Sequence, residues 1–201
     1  MIIEVCAESY EYAVKAEKAG ADRIELCKDL QLDGLTPDYG TAKRTIEKLN
    51  IPVFILIRPR DGDFIYSHDE FDLIKQDILK FKEMGCEGIV SGILNIDNSI
   101  DIKRTKELVE LSKPLEFTFH RAFDLVKYPI KEIENLIGIG VDRVLTSGQK
   151  EKAVDGLVLL KQLNYISKNR IVIMPGSGIS KMTIKRFKSF SEVHGSFKKG
   201  I

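Results

Sequence analysis

Tryptophan is absent from this 201-residue chain, cysteine occurs only three times, and neither charge sign prevails: 31 Lys and Arg stand against 30 Asp and Glu, for a formal net charge of +1. Each shortage excludes something. Without an excess of basic side chains there is no long-range field to neutralise a row of phosphates, so nucleic-acid binding is not expected. No apolar run approaches the roughly 18 to 20 residues that span a bilayer. The opening Met-Ile-Ile-Glu-Val-Cys enters a strand-like run without a basic leader, and a cytoplasmic, membrane-free protein is expected. Three widely spaced cysteines do not build a disulfide framework, so Cys6, Cys27 and Cys86 are expected as reduced thiols. What is present is a 43% hydrophobic composition, enough at this length for one sizeable core over residues 1–201.

Eight short apolar runs alternate with stretches of helical period: residues 2–6, 23–27, 53–57, 88–91, 115–119, 143–146, 171–174 and 192–194. Between the third and fourth runs, Phe71, Ile74, Ile78 and Phe81 form one apolar helix stripe within 68–84. Strands separated by helices require parallel pairing through crossovers, and eight such units predict a (βα)8 TIM-type barrel. A weak internal repeat supports this. Residues 20–26 (GADRIEL), 85–91 (GCEGIVS) and 140–146 (GVDRVLT) share a glycine, a small or apolar residue, an acid, and then a strand. Gly20, Gly85 and Gly140 are suited to end helices in the left-handed conformation, and the next residue to plug the barrel floor. Only GSFKKGI follows the last strand, so the barrel is expected to be short at its C-terminus and to lack the eighth helix. Apolar surface beside strands one and eight then predicts a homo-oligomer or a marginally stable monomer.

Side-chain alternation assigns inner faces. Packing the large apolar residues outward turns Glu4, Cys6, Glu25, Cys27, Arg58, Thr118, His120, Glu192 and His194 into the barrel. Buried charge must be paired or meet a ligand, and in this fold reactive groups gather at the C-terminal strand ends. Two readings stay open: a self-satisfied network, for example Glu25 with Arg58, or a site in which Glu25 and His120 move protons while Arg58 holds an anion. Asp124 in TFHRAFD is either the orienting partner of His120 or a helix N-cap.

The loops offer anion contacts. After strand seven, Gly176-Ser177-Gly178 forms a turn leading into a helix expected to start near Ser180, where backbone N–H groups can face an oxyanion. TSGQ at 146–149 makes a similar turn. Arg58 and Arg60 at the third strand's exit are candidates for clamping a carboxylate or phosphate, unless Arg60 and Asp63 simply close the loop as a salt-bridged turn. Cys6 and Cys27 end neighbouring strands on the same face, so they are either two thiol ligands for Cu(I) or small buried hydrophobes.

The segments GADRIELC (20–27), GLTPDYG (34–40), IRPRDGDFIYS (57–67), TFHRAFD (118–124), RVLTSGQ (143–149) and MPGSGI (174–179) together resemble the copper homeostasis protein CutC family, in order and across almost the whole chain. The resemblance implies a cytoplasmic, oligomeric (βα)8 barrel with a Cu(I) site whose cysteines match Cys6 and Cys27; no organic cofactor is implied. Asp61 departs from the family pattern, which has Gly there, and adds a negative charge beside Arg58 and Arg60. Three functions are compatible with these readings: Cu(I) handling, an isomerase- or lyase-type enzyme on a small anionic or phosphorylated metabolite, and a non-catalytic binding or structural barrel.

Overall fold

The computed structural model describes residues 1–195; the short tail from which the lack of an eighth helix was expected lies beyond Gly195, outside them. Eight parallel strands, β1 (Ile2–Ala7), β2 (Arg23–Leu26), β3 (Val53–Leu56), β4 (Gly88–Ser91), β5 (Glu116–Phe119), β6 (Arg143–Thr146), β7 (Val172–Pro175) and β8 (Glu192–Gly195), lie where the apolar runs placed them. They form a nearly closed barrel in the order β7-β6-β5-β4-β3-β2-β1-β8. The helices are α1 (Tyr10–Lys18), α2 (Tyr39–Lys48), α3 (His68–Glu83), α4 (Ile102–Ser112), α5 (Pro129–Gly138) and α6 (Leu157–Ser167).

Local chemistry explains these boundaries. Ser9, Asp38 and Asp101 accept backbone N–H bonds at the starts of α1, α2 and α4, and Ser67 with Glu70 forms a reciprocal capping box at α3. Phe71, Ile74, Ile78 and Phe81 are the buried stripe of α3. Gly20, Gly85 and Gly140 have φ of 92°, 87° and 80°, and Ala21, Cys86 and Val141 after them are buried. The acids of the repeat carry a function of their own: Asp22, Glu87 and Asp142 accept amides in the first two residues of β1, β3 and β5, from Ile3 (2.8 Å), Val53 (2.9 Å) and Phe117 (2.8 Å). Each even strand thereby fixes the base of the odd strand before it.

The connection after β7 differs from expectation. In place of a helix starting near Ser180 there are turns and one short 3₁₀ segment, Ile184–Phe187. Ile184, Phe187 and Phe190 recur every third residue, which matches the 3₁₀ repeat and not the 3.6-residue repeat of an α-helix. The amide of Ser180 donates to the Thr183 hydroxyl at 2.9 Å and closes the turn. Between this segment and α1, an apolar groove of about 250 Å³ lies over the outer face of β1, lined by Ile3, Val5, Ala16, Ala21 and Ile184 among others. Among the described residues, no helix is long and apolar enough to cross a membrane.

Candidate functional site at the C-terminal mouth of the barrel

A cavity of about 470 Å³ opens at the C-terminal strand ends, with Cys6, Glu25, Leu56, Arg58, His120, Leu145 and His194 contributed by the strands or by the two residues beyond them. Leu30, Asp33, Phe64, Arg121, Asp124, Ser177 and Gly178 come from the loops. Glu25, Arg58 and His120 thus converge on one space. Each is buried, and each carries one buried atom without a hydrogen-bond partner among the described residues: Glu25 Oε2, Arg58 Nε and His120 Nε2. Leaving a buried polar atom unpaired costs about 1–3 kcal/mol, so three around one cavity mark groups shaped for something outside the chain.

The three differ in what they offer. Burial pushes the Glu25 carboxyl up to about 8 against the pull of the His194 charge, so near neutrality it is largely a proton carrier. Burial and the Arg58 charge hold His120 down at about 3. Its Nδ1 accepts from the Ala122 amide at 3.2 Å, which leaves the proton of the uncharged ring on Nε2. Phe64, with ring centroids 4.8 Å apart, packs against the imidazole, and a Cβ at Gly92 would approach His120 Nδ1 to 2.6 Å, so glycine is needed there to seat the ring. Arg58 is mostly spent: Nη1 donates to the Leu32 carbonyl (2.7 Å) and the Gly34 carbonyl (3.0 Å), Nη2 to Gly62 (3.1 Å). It staples the loops after β2 and β3 together, leaving Nε as a single donor in place of the two-pronged clamp expected from sequence.

Arg60 does not line the cavity. Its guanidinium pairs with Glu70 at 2.5 Å and Asp63 at 2.9 Å, and bonds the Asp61, Asp63 and Ile65 carbonyls, so it closes its own loop. In the turn after β7, Ser177 and Gly178 reach the cavity and Gly176 does not; the Ser177 hydroxyl is used on the Glu151 carbonyl at 2.6 Å. Asp124 is neither a partner of His120 nor a helix cap. Its carboxylate accepts from the Thr146 hydroxyl (2.5 Å), the Ser147 amide (3.0 Å) and hydroxyl (2.9 Å), and the Gln149 amide (3.1 Å). The TSGQ turn therefore cradles an anion supplied by the chain itself.

Beneath the cavity the thiols of Cys6 and Cys27 shift each other's titration in opposite directions. The influence of Cys27, against burial and with help from His194, lowers Cys6 to about 5, while Cys6 and burial raise Cys27, so Cys6 is the thiolate and Cys27 keeps its proton. Cys6 lines the cavity; Cys27 lies behind it, packed on Phe54, Leu56 and Val90, with its sulfur 3.6 Å from the Ala7 carbonyl. His194, raised by Glu25, Cys6 and Glu4 against the effect of burial, places Nδ1 2.7 Å from Glu4 Oε1. Burial works against ionising Glu4, but His194 and Arg23 together hold it at about 2. Glu4, Glu25 and His194 bring one ligand atom each within 4.8 Å of one another, a set with the spacing of a metal site. Arg23 at 2.5 Å from Glu4 sets a positive charge against any hard cation there. The softer pair, Cys6 and Cys27, has the donor chemistry for Cu(I).

Two interior arginines escaped sequence reasoning. Arg23 bonds Glu4 and Glu192, and Arg143 bonds Glu192 (2.6 Å) and Glu116 (2.9 Å). Both occupy the same place in the repeat, directly after the acid that fixes the neighbouring strand, and that coincidence was their signal.

The model of the CutC family matches residues 1–199. A family protein CutC from Photorhabdus laumondii is 44% identical over 196 residues, covering 96% of this chain and 79% of the relative. The human protein named copper homeostasis protein cutC homolog is 46% identical over 185 residues, 92% of this chain and 68% of its own length. The crystal structure of a CutC protein from Streptococcus agalactiae superposes with a TM-score of 0.92 at 31% identity, covering 99% of this chain and 100% of that one. Sequence and fold agree along the whole described length, and the chain belongs to the CutC family.

Proposed function

We propose that this protein handles Cu(I), held between Cys6 and Cys27 at the floor of the barrel cavity. The observation that carries the reading is the placement of the two cysteines at the ends of the paired strands β1 and β2, with Cys6 reached from the cavity. Soft thiolate pairs select Cu(I) over harder ions, and the name of the human relative points to copper homeostasis. Loading displaces the Cys27 proton, so binding releases a proton and tightens with rising pH. A competition titration against a coloured Cu(I) chelator tests this. One equivalent is expected to bind the native chain, with affinity lower by ~100-fold or more in both Cys6→Ala and Cys27→Ala, the scale of losing one of two ligands. Unchanged affinity in the two variants rejects it.

A second reading is favoured by a different observation, the unpartnered atoms of Glu25, Arg58 and His120 around one cavity. In it the cavity takes a small anionic metabolite, Arg58 Nε–H and His120 Nε2–H donate to its oxygen atoms, and Glu25 exchanges a proton with it, as in an isomerase or lyase. Both readings use the same mouth and a cytoplasmic protein, and the apolar groove over β1 suits a second copy of the chain.

A further inference from the structure

We infer that Arg121 is the anion anchor of this cavity, holding the carboxylate or phosphate end of a small metabolite at the barrel mouth. The inference rests on the small-anion reading and gives that ligand a charged end and a direction. Three arginines stand at the exits of β3 and β5, and two are consumed: Arg58 on three carbonyls, Arg60 on Glu70, Asp63 and three carbonyls. Arg121 lines the cavity and bonds only through Nε, which donates to Asp124 Oδ2 at 2.9 Å. Both of its terminal nitrogens are without partners among the described residues, and its side chain is 40% exposed.

Its support is rigid. Asp124 is gripped by Thr146, Ser147 and Gln149, so the residue that orients Arg121 is itself immobilised by the turn after β6. The TSGQ turn does not bind a ligand anion directly; it binds Asp124, and Asp124 holds a guanidinium in a fixed pose with its two-pronged end free. A ligand anchored there runs inward past Leu56, Phe64 and Leu145 and brings its other end to Glu25 and His120. The cavity volume suits a metabolite-sized molecule.

The test is a ¹H–¹⁵N chemical-shift titration of the full chain with inorganic phosphate and, separately, with acetate, following the cavity amides of Gly62, Gly178 and Gly195. Saturable shifts at these amides are expected with phosphate alone, which identifies a phosphoryl end, or with acetate too, which identifies a carboxylate. Arg121→Ala is expected to raise Kd about 10- to 100-fold, the range for losing a charged hydrogen-bonding partner. Lys43→Ala, which makes the same change of charge on an exposed helix face away from the cavity, is expected to leave Kd unchanged. Native-like Kd in Arg121→Ala alongside weakened binding in His120→Ala overturns the anchor and keeps the small-anion reading. No shift of the cavity amides with either anion overturns both.

Discussion

At the scale of single residues, the site is a chain of unequal proton affinities set by burial and contact. Cys27 is the largest influence lowering Cys6, His194 adds a second, and Glu4 holds His194 from the far side. A thiol lowered in this way is ionised above its own pKa and reacts as a thiolate there. The rate of Cys6 alkylation by iodoacetamide is therefore expected to rise through about pH 5 and stay flat toward pH 8, where an ordinary thiol is still climbing toward 9. Because Cys27 is the larger cause, Cys27→Ala should move the inflection upward most, and His194→Ala by less. Mass-spectrometric labelling of Cys6 across pH reads this directly, and an inflection near 9 in the native chain defeats it. Much of this scale was legible beforehand. Strand alternation alone aimed Cys6, Glu25, His120 and His194 inward, because a pleat leaves two directions only. It was silent on whether an inward arginine meets a ligand or a loop carbonyl, and there Arg58 departed from expectation, whereas Arg60 took the salt-bridged turn with Asp63 that stood as the alternative.

Among elements, the repeat explains how one segment pattern builds three different junctions. The position after the acid is Arg23 in β2, Gly88 in β4 and Arg143 in β6, and the missing side chain at Gly88 makes room for Phe54 of β3. That ring is stacked by both guanidinium groups, Arg23 at 4.6 Å and Arg143 at 5.3 Å from its centroid. A Cβ at Gly88 would stand 2.5 Å from three ring carbons. Gly88→Ala is expected to cost about 1–3 kcal/mol by overpacking, read as a lower urea midpoint with an unchanged slope; a native midpoint shows that Phe54 has room to move. The starts of α1 to α4 are set by Ser and Asp caps, which is local chemistry. The segment after β7 departed from the helix start expected there, because glycine and serine after a strand signal a turn without specifying the element beyond it. The outcome there was decided by the three-residue spacing of Ile184, Phe187 and Phe190 against the barrel.

Taken as a whole, the barrel's hydrogen-bonded ladder runs unbroken from β7 round to β8, and these two strands are its ends. Side chains cross the remaining gap. Glu192 of β8 binds Arg143 of β6 at 2.6 Å and also Arg23 of β2, while Arg23 lies 3.5 Å from the sulfur of Met174 in β7. Eight strands were countable in the sequence, but this closure depends on partners up to 169 residues apart that no local pattern contains. Glu192→Gln keeps the volume and removes the charge, leaving two buried arginines with weakened pairing, at an expected cost of about 3 kcal/mol. If the ion pairs close the barrel, the loss is local: amides of the β1–β8 ladder should exchange with solvent faster in the variant, while those of the β3–β4 ladder change only with global stability. Burial disfavours the Glu192 charge, but Arg143 and Arg23 hold its pKa below the ordinary carboxylate value. Its contribution is thus complete above about pH 4.5 and lost as pH falls further, so the stability difference between the native chain and the variant should shrink on acidification below that point. A uniform rise in exchange across both ladders, or a difference that does not shrink at all on acidification, would assign barrel closure to packing of the apolar shell and not to these charges.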